Sequence, residues 1–244
     1  MFDVISFLFL SVVVFAGAVV AGFAGFAFSP VAGAMLLHVL PPAEAVPLMM
    51  VCSIVVQTVN LVALRRNMQW QGSLVPIVGG ALGVPPALYL LQHVDASAFR
   101  IGFGCLLAAY SAYMLFRPAM ARLPQTDTRR LPHAALGFAG GLLGGLTAMP
   151  GAPLTIWCDL KGMPKEQQRG LTQPFIVTMQ VVALGMMLAR HSLSTQVLVE
   201  AAYSLPALFA GSAAGIAMFG RANDALFRRA TLGILFVAGF ALVV

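Results

Sequence analysis

Two proline breaks and a pair of glutamines offer most of the chemistry in this sequence. Ser29-Pro30 interrupts one long apolar stretch, and Pro150-Gly151-Ala152-Pro153 interrupts another. Serine is a favoured helix N-cap and proline suits the first helical turn, so Ser29-Pro30 predicts a helix that starts inside apolar sequence. Pro153 predicts the same at the second break. A helix start leaves backbone N–H groups without helical acceptors and presents the positive end of the dipole. Two such starts facing each other would form a site for an anion. Gly22 and Gly25 precede the first break, and Gly137, Gly140, Gly141, Gly144 and Gly145 precede the second, allowing close approach.

Polar side chains inside apolar spans cost energy and usually face a cavity or another helix. Gln57 and Asn60 share a helix face at i, i+3 spacing, and Gln180 occupies the place of Gln57 in the second half, where Thr172 and Gln173 begin the helix. Amide N–H groups suit oxyanion oxygens; interhelical hydrogen bonding is the alternative reading. The expected anion site lies between Phe26 to Pro30 and Thr147 to Pro153. It includes Gly25, Phe26, Ser29, Pro30, Thr147, Met149, Gly151 and Pro153, with Gln57, Thr172 and Gln180 beside it. Ser29 is expected to cap its half-helix and to donate to the anion. Phe26 and Met149 are placed to meet an apolar tail. Backbone N–H groups are expected to do most of the recognition, since no buried arginine is evident. Arg169 and Lys161 flank the second break and read as topological charges. Glu200 is the one carboxylate a turn or more inside a span, and the membrane interface is its expected place.

The elements that would position these residues are membrane helices. Of the 244 residues, 60% are hydrophobic and 9% charged, and the mean hydropathy is +0.91. Soluble domains carry about 25% charged residues. Six spans are expected at 45–64, 73–92, 97–116, 171–189, 196–219 and 226–244, each near the ~20 apolar residues a crossing needs. Residues 4–40 and 134–160 are irregular and hold the breaks. The start Met1-Phe2-Asp3 does not resemble a secretory signal. Cys52, Cys105 and Cys158 lie in apolar sequence without metal-ligand spacing and read as small hydrophobes. Gly79-x3-Gly83 and Gly211-x3-Gly215 read as helix-packing faces.

The segment 117–133 is the longest polar linker and divides the chain into repeats at 1–116 and 134–244. Pro30 and Gln57 match Pro153 and Gln180, both pairs 27 residues apart. Asp95-x3-Phe99-Arg100 matches Asn223-x3-Phe227-Arg228, and Gly22-x2-Gly25 matches Gly141-x2-Gly144 with a small gap. If each irregular region crosses once, seven basic residues fall on either side. If each enters and returns on one side, twelve fall together and only Arg100 and Arg190 opposite. The second arrangement obeys the positive-inside rule. The expected fold is therefore an all-α integral membrane protein. It has two inverted repeats, each a broken or re-entrant helical hairpin followed by three transmembrane helices. The net charge of +6 is explained by topology rather than by nucleic acid.

The run Gly144-Gly145-Leu146-Thr147-Ala148-Met149-Pro150-Gly151-Ala152-Pro153, with Arg169-Gly170-Leu171-Thr172, resembles the second-half signature of the TauE/SafE family of sulfite exporters. Gly22-Phe23-Ala24-Gly25-Phe26-Ala27-Phe28-Ser29-Pro30 is similar to its N-terminal signature. The family often has more glycine where Ala27 and Phe28 stand, and Gly and Pro where Ala148 and Ala152 stand. The resemblance implies transport of sulfite, thiosulfate, sulfoacetate or a similar anion across a bacterial inner membrane. A secondary carrier is expected, since no nucleotide-binding motif is present, and a passive anion channel is the alternative. No HExxH, GxSxG or P-loop motif argues for an enzyme, and His38, His93, His133 and His191 lack ligand spacing. Neither a cofactor, a metal nor a nucleic acid is expected as a partner. The lipid bilayer and a small anion are, and a homodimer stays open.

Overall fold

The computed structural model describes residues 4–63, 65, 68–116, 130–190 and 193–243. Ten helices and no strand occur among them. They are α1 (Val4–Ala24), α2 (Phe28–Leu36), α3 (Pro42–Ala63), α4 (Trp70–Leu91) and α5 (Ala96–Phe116) in the first half. The second half holds α6 (Arg130–Thr147), α7 (Ala152–Leu160), α8 (Lys165–Ala189), α9 (Thr195–Arg221) and α10 (Asp224–Val243). Helices dominate because lipid offers no partner for backbone N–H and C=O groups, which must then be satisfied within each segment. By length and composition α1, α3, α4, α8 and α9 can each cross a membrane. The outer surface is apolar: Val12, Val78, Leu82 and Val237 are all more than 60% exposed. This is a multi-pass membrane protein.

The six expected spans fall on α3, α4, α5, α8, α9 and α10. Each irregular region is a long arm followed by a short one, α1 with α2 and α6 with α7. The short arms have nine residues each. At about 1.5 Å per residue they reach about 13 Å, less than half of a ~30 Å hydrocarbon core. The breaks fall earlier than the prolines suggested, at Gly25–Ala27 and Ala148–Gly151. Arg130 to His133 belong to α6, with Pro132 in its first turn, where a missing N–H costs nothing. The rest of the linker, 117–129, and Arg66 and His191 lie outside the described residues.

Close glycine contacts fix how the helices run. Gly211 packs on Phe15 and Ala18, and Gly215 on Val19 and Gly22, so α1 and α9 run in the same direction. A Cβ built at Gly215 would fall 2.1 Å from the Val19 oxygen, so no larger residue fits there. Gly79 packs on Ala134 and Gly83 on Phe138, which makes α4 and α6 parallel as well. Helix α1 of the first half thus packs on α9 of the second, and α6 of the second on α4 of the first. The pairs α3 with α9, α4 with α8, and α5 with α10 also join the halves.

Polar contacts define the two ends. His38, just past α2, lies 2.9 Å from the Ala241 oxygen and 2.9 Å from Arg100 Nη1. Arg190 lines a cavity with Ala43, Leu91 and Gln92. At the opposite end Lys165 Nζ donates to the Ala222 oxygen, and to the Phe219 oxygen at 3.1 Å, capping α9. Gln69 N–H donates to the Gly170 oxygen at 2.9 Å. That carbonyl has no helical donor because Pro174 lacks an N–H, so α8 is tied to the start of α4 instead. The first hairpin enters from the Arg100 end and returns to it. The second enters from the Lys165 end and returns there at Lys161.

Candidate functional site

The tips of the two hairpins meet in the interior. Gly25 closes the first long arm through its N–H to the Ala21 oxygen at 2.8 Å, and Ala148 closes the second through its N–H to the Gly144 oxygen at 2.9 Å. Both then turn with positive φ, +92° at Gly25 and 55° at Ala148. Glycine adopts this conformation freely, whereas Ala148 does so at a cost of about 1–2 kcal/mol. Gly25 and Ala148 are separated along the chain by the same interval as Gln57 and Gln180 or Pro30 and Pro153.

Each turn carbonyl accepts two hydrogen bonds, one from each half. The Gly25 oxygen takes Gln57 Nε2 at 2.8 Å and Gln173 Nε2 at 2.8 Å. The Ala148 oxygen takes Gln180 Nε2 at 3.2 Å and Ser29 Oγ at 2.7 Å. Gln180 Nε2 also donates to Ser53 Oγ at 2.8 Å, and Asn60 Nδ2 to Gln57 Oε1 at 3.1 Å. Gln57 and Gln180 thus hold the tips, and their Nε2 groups are already engaged. Gly151 packs beside Phe26, where an added Cβ would come 3.1 Å from Phe26 Cβ.

Ser29 does not cap its helix. Ala27 holds the cap position of α2 with no side-chain cap bond, and Ser29 is the second helical residue. Its hydroxyl points across to the other hairpin, because the turn begins at Gly25 and the helix starts before Ser29. Gly151 holds the cap position of α7, again with no side-chain cap. Pro30 and Pro153 both stand in first turns, and neither needs an N–H there. Phe26 and Met149 are buried beside the tips. Thr147 Oγ donates to the Leu143 oxygen at 2.7 Å and Thr172 Oγ to the Gln168 oxygen at 2.9 Å. These bonds within their own helices use the single proton of each hydroxyl.

The absence of a buried arginine, expected above, is overturned. Arg169 is 2% exposed and is the largest fully buried side chain. Its Nη1 donates to the Gly22 oxygen at 3.0 Å. Its guanidinium carbon lies 4.3 Å from the centre of the Phe219 ring, a contact worth about 2 kcal/mol when desolvated. Nε and Nη2 have no hydrogen-bond partner, and no carboxylate among the described residues pairs with it. A cation in a bilayer interior costs roughly 3 kcal/mol on insertion scales. Arg169 therefore lies inside α8 beside the first tip, not in a loop. Its signal was present in the spacing: Arg169, Gln173 and Gln180 lie at i, i+4 and i+11 on one face of α8. Lys161 is also buried, with Nζ 5.3 Å from the Trp157 ring centre. Glu200, in the second turn of α9, is 7% exposed and accepts Gln196 Nε2 at 2.9 Å. No group of three or more His, Cys, Asp or Glu among the described residues could hold a metal ion.

The family model described as sulfite exporter TauE/SafE matches residues 9–242. The chain belongs to the TauE/SafE family. The match spans both hairpin tips and takes in Gly25, Ala148 and Arg169. Searches of curated proteins and of solved structures found no match. As a member of the TauE/SafE family the protein is a membrane transporter with a small anion as its cargo and lipid as its surroundings.

Proposed function

We propose that this protein is a secondary carrier of a small sulfur-containing anion, such as sulfite, thiosulfate or an organosulfonate. It works in a bacterial inner membrane and binds its cargo where the hairpin tips meet. The observation that carries this reading is the pair of uncapped helix starts, α2 and α7, both buried, with turn carbonyls held from both halves. Helix starts offer N–H groups and the positive end of a dipole. The candidate set is Gly25, Phe26, Ser29 and Pro30 with Thr147, Met149, Gly151 and Pro153, supported by Gln57, Thr172 and Gln180. Gln57 and Gln180 act by positioning the tips.

Two inverted repeats are the architecture we infer. The hairpins enter from opposite ends, and helix contacts such as α1 with α9 and α6 with α4 exchange when the halves are swapped. Alternating access in such folds moves one bundle against the other around a fixed site. The end bearing Arg65, Lys161, Lys165 and Arg221 is the cytoplasmic one by the positive-inside rule. One chain supplies both tips, so the reading needs no partner subunit.

A carrier is favoured over a passive channel by burial. Phe26, Ala27, Phe28, Ser29, Ala148, Met149 and Ala152 are each at most 5% exposed, whereas an open pore would leave them wet. Liposomes containing purified protein provide the test. Saturable sulfite or organosulfonate flux without single-channel current supports the carrier. Current steps in a planar bilayer would establish the channel, and no flux of any sulfur anion would refute the function.

A further inference from the structure

Arg169 leaves one edge of its guanidinium unused. Nη1, on the side of Cδ, donates to the Gly22 oxygen at 3.0 Å. Nε and Nη2, the two nitrogens without partners, lie on the opposite side, where their N–H bonds run nearly parallel. This is the side-on fork with which arginine takes two oxygens at once. The ring of Phe219 covers the flat face of the group, which attracts the cation but accepts no hydrogen bond in the plane of the fork. Gly25 stands against Nε without a side chain: a Cβ there would come 3.0 Å from Nε and 3.0 Å from Gln173 Nε2. The start of α2 follows Gly25 by three residues. A buried cation, an empty fork and an uncapped helix start thus converge on the first tip.

From this geometry we infer that the Nε/Nη2 edge of Arg169 is the charge-bearing contact for the transported anion, taking two oxygens borne by one sulfur atom. The inference rests on the transport reading above and deepens it. The cargo supplies the negative charge that the protein omits. The fork is closed off from water, and Gly25 of the first tip lies against it, so loading requires α1 and α8 to part. A ligand with two oxygens on one centre fits the fork, and a spherical or linear anion does not. Carboxylates share the two-oxygen edge with sulfonates, so the two are separated by experiment.

Purified protein is titrated with methanesulfonate, sulfite, acetate, thiocyanate and chloride at constant ionic strength, followed by calorimetry and thermal melting. Methanesulfonate and sulfite are expected to bind and raise Tm, and thiocyanate and chloride are not. Arg169→Lys keeps the charge but removes the fork, and its methanesulfonate affinity is expected to fall at least tenfold. Equal stabilisation of the wild type by thiocyanate and methanesulfonate overturns the inference, as does unchanged affinity in folded Arg169→Lys. If that variant does not fold, Gly25→Ala keeps the guanidinium and brings a methyl group onto Nε. Loss of binding in a variant that keeps the wild-type Tm supports the fork, and retained affinity overturns it. Acetate binding in place of methanesulfonate upholds the two-oxygen edge and overturns its assignment to sulfur. Folded wild type that binds no anion removes the transport reading itself, whereas binding that ignores Arg169 removes only the fork.

Discussion

Ser29 Oγ donates to the Ala148 carbonyl at 2.7 Å and so ties the tip of one hairpin to the turn of the other. The bond is buried, and the residues come from opposite halves of the chain. Ser29→Ala leaves the Ala148 oxygen with Gln180 alone. A loss of about 1 kcal/mol in unfolding free energy is expected, the usual net worth of one hydrogen bond. Denaturant unfolding in detergent measures it, and an unchanged midpoint would show that the tips are held by packing.

Gln57→Ala and Gln180→Ala each remove one of two donors to a turn carbonyl. Each variant is expected to weaken anion binding by about 1 kcal/mol, roughly fivefold, through a displaced tip. Calorimetry on the purified variants checks this. Full affinity in both, with intact folding, would confine the glutamines to packing.

Ala148 turns with φ 55°, a conformation that costs an L-residue about 1–2 kcal/mol relative to glycine. Glycine gains extra freedom in the unfolded chain, worth about 0.5–1 kcal/mol against it. Ala148→Gly should therefore raise stability by about 0.5 kcal/mol. A lower melting temperature would mean that the Ala148 methyl group contributes packing that outweighs the strain.

Sidedness is open to labelling. With exposed Cys105 replaced by serine and Cys52 and Cys158 buried, a cysteine at Ser97 should react with an impermeant maleimide added to whole cells. One at Asp127 should react only after lysis. Strong labelling at position 127 in intact cells would reverse the assigned orientation.

The helices and both breaks were legible because apolar length and proline leave few alternatives in lipid. The match of Gln57 with Gln180 was legible as well, but not what those amides bind. A sequence shows that a polar group is buried without showing which carbonyl lies opposite. The breaks were misplaced by a few residues because Ser29-Pro30 has the chemistry of a cap, whereas the turn is made by Gly25. At Ala148 the turn has no glycine to announce it, although the family signature often carries one there. Arg169 was hidden by its company: Lys161 and Lys165 lie at a helix boundary, and a charge close in sequence to that boundary looks like a third of the same kind. Only the packing of Gly22 and Phe219 around it reveals its depth.

The packing of α1 on α9 has a consequence for how the protein is made. The small-residue face of α1 has no partner until Thr195 and the helix after it emerge from the ribosome. At about 5–20 residues per second, that interval lasts about 10–35 s. Throughout it the nascent first half sits in the bilayer with an interlock unfilled, and a quality-control protease could recognise it. Neither half made alone can finish its own assembly, but two pieces cut within 117–129 and synthesised together still hold every surface the interlock requires.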